Sequence, residues 1–404
     1  MKFLRTKKKR IYLDYAAATP LRSEVALVMR SYERDMFANA SAIHQEGVAV
    51  RNAIERAREK LARTLKIRPK GVVFTGNGTE SNNLAILGTV QERCESGVAY
   101  SDMEVISTRI EHPSVSKVLA HLATLGVAIK YMEVAEDGLI IPQSLQNTLS
   151  AKTVLVSFAY ANSEIGVVQE VGKLARIVRA FSKAHDTYVV IHTDAAQAPL
   201  WLPCQLDGLL VDILTLDAGK CYGPKGVGIL AMRHGVKLSS ISYGGPQEGG
   251  LRPSTENTAG IIGAVHAIIL AQQGREKRMN KVSILRDRMI ELLIAIDGVV
   301  LNGSAEQRIA NNINISAPGI DSEFAVISLD QAGIACSTKS ACSGASGDGS
   351  AVVQAITNDT DRATSTIRFS LGEETTTRDI CKAVEVLKSH IQKIRESHKQ
   401  LTMT

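Results

Sequence analysis

The chain has 404 residues, 45% of them hydrophobic and 22% charged, with a mean hydropathy of +0.01. Those proportions exclude a disulfide-stapled miniature fold, a disordered chain and a helical membrane protein, and the length corresponds to two or three typical domains. The formal charge of +6 resides in the first ten residues, where Lys2, Arg5, Lys7, Lys8, Lys9 and Arg10 meet no acid, so the tail reads as a solvated, disordered terminus and no nucleic-acid groove is expected.

Taken in chain order, the elements begin with Ile54, Ala57, Leu61 and Leu65, whose helical spacing predicts an amphipathic packing helix. Short β-branched runs predict strands at 72–74, 105–107, 154–156, 188–191 and 210–214, with helices at 78–94, 113–125 and 171–185 between them. Such alternation builds βαβ units and a mostly parallel sheet. After turn-rich residues 244–257 a helical pattern runs from about 258 towards 296. The remainder reads as a smaller α+β domain ending in a helix with Ile380, Ala383, Val384, Leu387, Ile391 and Ile394 on one face, capped by Thr376 and Asp379. The expected organisation is a large domain over 15–262 and a small one made of 1–14 and 263–404. The longest apolar stretch, 261–271, is broken by Gly263 and His266, far short of the roughly 20 residues of a membrane span. The tail lacks the apolar core of a secretory signal, and a cytosolic location is expected.

Ligands of open α/β sheets gather at the carboxyl ends of strands, which directs attention to four places. Residues 75–81 form a glycine-rich turn opening a helix, suited either to a phosphate or to a plain helix cap. Asp194 follows the fourth predicted strand, as a ligand carboxylate or a cap. Lys220, before a glycine-proline turn, is a candidate nucleophilic amine, although a lone lysine is usually solvated. Cys342 lies among serine, glycine and alanine with Lys339 nearby, unlike Cys336, which reads as a buried hydrophobe. The six cysteines include no C-x-x-C pair, so neither a disulfide framework nor a zinc site is expected.

Read together, Tyr12-Leu13-Asp14-Tyr15, Asn39-Ala40-Ser41-Ala42-Ile43-His44, Thr79-Glu80-Ser81-Asn82-Asn83, Glu111-His112, Asn162-Ser163-Glu164-Ile165-Gly166, His192-Thr193-Asp194, Lys220 with Tyr222-Gly223-Pro224-Lys225-Gly226, Arg252-Pro253-Ser254-Thr255-Glu256-Asn257, Ser340-Ala341-Cys342 and Ile367-Arg368-Phe369-Ser370 span almost the whole chain. In this order they resemble the cysteine desulfurases, pyridoxal-phosphate enzymes of the class V aminotransferase group with the fold type I architecture. The resemblance implies that Lys220 holds the cofactor and moves a proton, that Asp194 pairs with the pyridine nitrogen, and that His112 stacks on the ring. It further implies Gln197 on the ring hydroxyl, Gly78 and Thr79 on the phosphate, Asn162 on cofactor and substrate, and Arg368 as a bidentate clamp on the substrate carboxylate. Thr255 is expected to reach the phosphate of a second subunit in a homodimer. Cys342 is expected to take sulfur from L-cysteine as a persulfide, release L-alanine and pass the sulfur to an iron–sulfur scaffold or a tRNA-thiolation enzyme.

Two departures stand out. Asp217 and Gly219 replace the serine and histidine that most relatives place before the lysine, and a carboxylate near a phosphate dianion costs electrostatic energy, which predicts weaker cofactor retention or a rebuilt phosphate cup. The stretch after Cys342 lacks the usual leucine-glutamate-proline element, so acceptor recognition is expected to differ. Rival readings are another class V aminotransferase or lyase and a non-catalytic relative that binds a partner; selenocysteine is an alternative substrate.

Overall fold

The computed structural model describes residues 10–338 and 349–402; the basic tail before Arg10 and Cys342 lie outside them. The chain divides into two units, one of Ala18–Asn162 with Val167–Glu276 and one holding the other described residues.

Among the described residues, the larger unit builds a seven-stranded sheet in the order Val72–Thr75, Gly228–Met232, Ile213–Asp217, Val190–Asp194, Thr153–Ala159, Glu104–Ser107, Ala128–Tyr131. Gly228–Met232 runs antiparallel to both neighbours, and every other pairing is parallel. The inner strands are buried along almost their whole length because helices cover both faces of such a sheet. The helix Gly78–Glu95 buries Leu84, Ala85, Ile86 and Val90 in a core shared with Val105, Val115, Leu119, Ile213 and Leu230.

Strand register fixes what meets at the carboxyl edge. Thr75 and Asp217 both pair with Gly228, from opposite sides. The chain leaving Thr75 then crosses directly over Gly228, where an added Cβ would stand 2.3 Å from the carbonyl carbon and oxygen of Asn77. Only glycine permits that crossing, which sets the start of the Gly78–Glu95 helix beside Asp217.

In the smaller unit Thr366–Ser370, Asn312–Ser316 and Val300–Leu301 form an antiparallel sheet, and Ile11–Tyr12 pairs in parallel with Ile334–Ala335. The terminal helix Thr377–Thr402 opens with the expected reciprocal cap between Thr376 and Asp379. Ser163–Gly166 belongs to this unit because its carbonyls accept side-chain bonds from Arg368, Asn312, Asn314 and Arg308.

Several boundaries differ from the sequence reading. The pattern over 258–296 is two helices, Thr258–Gln273 and Arg275–Ile294. The first packs on the helices Ser23–Arg34 and Gln45–Leu65, so the division falls after Glu276 rather than at 262. The strands expected at 188–191 and 210–214 lie at Val190–Asp194 and Ile213–Asp217. Locally, Leu206–Leu209 form a helical turn that ends in left-handed Leu210, and an apolar run does not reveal where turn gives way to strand. Ala128–Tyr131 and Gly228–Met232 had not been anticipated. No helix among the described residues is long and apolar enough to cross a membrane.

Gly228→Ala is expected to destabilise the protein by about 2–3 kcal/mol, because backbone rather than a flexible side chain must yield to the new methyl. Urea unfolding followed by circular dichroism measures this, and an unchanged midpoint would refute the crossing argument.

Candidate active site

Asp194 ends one parallel strand and Asp217 ends its neighbour, so the two carboxylates stand at the same edge of the sheet. His192 and Thr193 are therefore strand residues, not loop residues. His192 is buried between the hydroxyls of Ser157 and Thr215, and burial pushes its pKa down to about 3, which makes it a neutral core histidine. Lys220 closes the short turn Ala218–Lys220, which Asp217 caps by accepting the Gly219 N–H at 2.8 Å.

A chain of hydrogen bonds links Asp194 to His112. Asn82, on the first turns of the Gly78–Glu95 helix, donates through Nδ2 to Asp194 Oδ2 (2.7 Å) and to Ser114 Oγ (2.8 Å). The backbone N–H of Ala196 holds the other Asp194 oxygen at 2.9 Å. His112 caps the helix Pro113–Thr124, its Nδ1 accepting the Ser114 N–H at 3.1 Å. A backbone N–H can only donate, so Nδ1 carries a lone pair and the Ser114 hydroxyl, 2.7 Å away, also donates to it. The ring proton of neutral His112 is thereby assigned to Nε2. Neither Asn82 nor Ser114 had been singled out as a site residue; their polarity beside a helix start reads as capping until the tertiary pairing is known.

Glu111 is buried next to this chain and takes the Thr108 hydroxyl on Oε1 at 2.5 Å. Burial first, and the charge of Asp194 second, push its pKa up to about 8. It is thus a neutral acid at pH 7. Asn162 donates to the Ile110 carbonyl at 2.7 Å, tying its strand end to the Glu111-His112 turn. Gln197, the residue after the Ala196 amide that holds Asp194, is half-buried.

At the start of the Gly78–Glu95 helix, Asn77 caps the Glu80 N–H and Gly78 donates to Asp217 Oδ2 at 3.1 Å. Thr79 is exposed and keeps its N–H and hydroxyl without an acceptor among the described residues. Thr255 is also exposed.

In the smaller unit Arg368 is 1% exposed and already engaged: Nη2 meets Asp14 Oδ1 at 2.9 Å and Nη1 meets the Ser163 carbonyl at 2.9 Å, while Nε is buried with no partner among the described residues. Both terminal nitrogens of the guanidinium fork are therefore already in use. Burial pushes the Cys336 thiol up to about 12, in keeping with an inert cysteine. Ser337 pairs with Arg368 through both backbone bonds, and Ser350 bonds to Glu164 and to the Ala363 carbonyl.

The raised pKa of Glu111 gives a testable pH dependence. Its folded pKa, about 8, lies above its ordinary value of 4.5, so the folded state binds the extra proton and stability is lost as pH rises between those values. Thermal denaturation across that window is expected to decline in the wild type with a slope of up to about 1.4 kcal/mol per pH unit and to be flatter in Glu111→Gln. Parallel profiles would show that Glu111 is ionised in the fold.

The class-V aminotransferase family model matches residues 11–382. The cysteine desulfurase IscS of Dictyoglomus turgidum is 40% identical over 96% of both chains. A solved NifS-like protein superposes with a TM-score of 0.87 at 30% identity, over 95% of this chain and 100% of its own. SspA, solved in complex with cysteine, does so with a TM-score of 0.75 at 30% identity, over 91% of this chain and 100% of its own. The larger unit has the fold type I arrangement, and the cofactor of the family is pyridoxal 5′-phosphate. The donor set fits that group: a fixed carboxylate for the ring nitrogen, a histidine, a lysine amine and the open N–H and hydroxyl of Thr79. By family model, sequence and fold alike, the chain belongs to the class-V aminotransferases and, within them, to the cysteine desulfurases.

Proposed function

We propose that this protein removes sulfur from L-cysteine, releasing L-alanine and keeping the sulfur as a persulfide on Cys342. The observation that carries this reading is the Asp194–Asn82–Ser114–His112 bond chain, in the unit whose adjoining strand leads to Lys220. The likeness to proteins named cysteine desulfurase supports the substrate.

The bound cofactor supplies an electron sink for the substrate's α-carbon. Asp194, held through both oxygens, keeps a proton on the ring nitrogen. Lys220 binds the cofactor and, once free, moves the substrate's α-proton with its Nζ. His112, with Nδ1 committed to its helix cap, would offer the cofactor its Nε2 as a donor. Gln197 holds the ring hydroxyl, and Gly78 and Thr79 the phosphate. Arg368, assisted by Asn162, takes the α-carboxylate. The Cys342 thiolate attacks the substrate sulfur: the S–S bond forms, the Cβ–S bond breaks with its electron pair left on carbon, and that carbon takes a proton to become the methyl group of alanine.

Thr255 and the exposed Leu27, Phe37, Ile43 and Tyr243 support a homodimer in which Thr255 reaches the other subunit's phosphate. The described cysteines are free thiols, which suits a reducing, cytosolic compartment. The sulfur passes on to a protein acceptor, an iron–sulfur scaffold or a tRNA-thiolation enzyme.

Alanine release from L-cysteine, with pyridoxal phosphate and a reductant supplied, is expected from the intact protein and to fall at least about 100-fold in Cys342→Ala. Equal rates would replace the persulfide route with a lyase acting without that thiol, and no alanine from a cofactor-loaded protein would point to another class V substrate or a partner-binding role. Light scattering on the same sample is expected to give twice the chain mass; a monomer mass would refute the dimer.

A further inference from the structure

Asp217 uses both carboxylate oxygens on the backbone. Oδ1 accepts the Gly219 N–H at 2.8 Å, and Oδ2 accepts the Gly78 N–H at 3.1 Å, so one side chain bridges the lysine turn and the start of the Gly78–Glu95 helix. Both glycines permit the approach: a Cβ on Gly78 would lie 3.1 Å from Oδ2, and one on Gly219 3.2 Å from Oδ1. The helix start, with its partial positive charge, thus has an anion supplied by the chain itself.

The neighbouring groups leave little to offset a second anion. The Glu80 N–H is taken by Asn77, and the Gly76 N–H by Glu80 at 2.6 Å. Arg252 is ion-paired with Glu80 at 3.0 Å, and Lys225, which packs near Gly219, donates to the Thr19 carbonyl. Among the described residues neither cation pairs with Asp217. A phosphate dianion entering here has to displace the carboxylate from Gly78 or share the helix start with it, and like charges at contact distance repel strongly.

We infer that Asp217 is the specificity-determining residue for the cofactor's phosphate: its carboxylate competes with that group for the Gly78 N–H, so the chain holds pyridoxal phosphate loosely and stays well ordered without it. This rests on the reading that pyridoxal phosphate binds in this cradle. One hydrogen bond carries the competition, and the cofactor-free protein is its beneficiary.

The full-length protein, stripped of cofactor, is titrated with pyridoxal phosphate and separately with pyridoxal, reading the visible absorbance of the bound ring, and its Tm is recorded without either. In Asp217→Asn, which keeps the shape and an acceptor for Gly219, the Kd for pyridoxal phosphate is expected to fall about tenfold while that for pyridoxal changes less than about twofold. The cofactor-free Tm is expected to drop. An unchanged or higher Kd for pyridoxal phosphate, or equal tightening of both compounds, would overturn the competition. Asp217→Ser is read in the same way should the asparagine variant not fold, and failure of both to fold would overturn it in favour of a purely structural aspartate. If neither wild type nor variants bind pyridoxal phosphate, the cofactor reading itself falls; if all bind it alike, only this inference does.

Discussion

The arrangement of the larger unit depends on a side chain that is not there. Because position 228 is glycine, the backbone at Asn77 passes directly over an antiparallel strand, and Thr75 and Asp217 come level on its two sides. The Gly78–Glu95 helix then begins against the lysine turn and carries Asn82 to Asp194. A chain crossing set by sterics thereby becomes an electrostatic arrangement, with helix N–H groups, carboxylates and an amine along one sheet edge.

Charge in that edge is distributed sparingly. Glu111 lies close enough to Asp194 to feel its field and responds by keeping its proton. Asp217 accepts backbone N–H groups on both of its oxygens. Arg368, in the other unit, is neutralised by Asp14. In each unit, then, the chain supplies its own counterpart to a charged or dipolar group.

Much of this was legible in the sequence, for physical reasons that differ by element. Helices such as Val171–Ala184 and Gln45–Leu65 announce themselves because burial on one side imposes a 3.6-residue period. The parallel strands announce themselves as apolar runs, but such runs do not mark their own ends, so the strand expected to stop at 191 continues through His192, which is core. Lys220, Asp194 and His112 were visible through the ordered motifs of a family. Asn82, Ser114 and the Gly78–Asp217 bond were not, because each depends on a partner distant in sequence whose position only strand register supplies. Asp217 could be noted as an oddity, yet nothing local says which N–H it would accept.

The capping role of His112 has a consequence of its own. Its Nδ1 lone pair is the acceptor that closes the first turn of the helix Pro113–Thr124, so a proton on that nitrogen and an intact helix start are mutually exclusive. The Ser114 hydroxyl beside that nitrogen also accepts from Asn82, so the ring's orientation is tied through Asn82 to Asp194. The histidine's tautomer is in this way a property held by the fold's own hydrogen bonds.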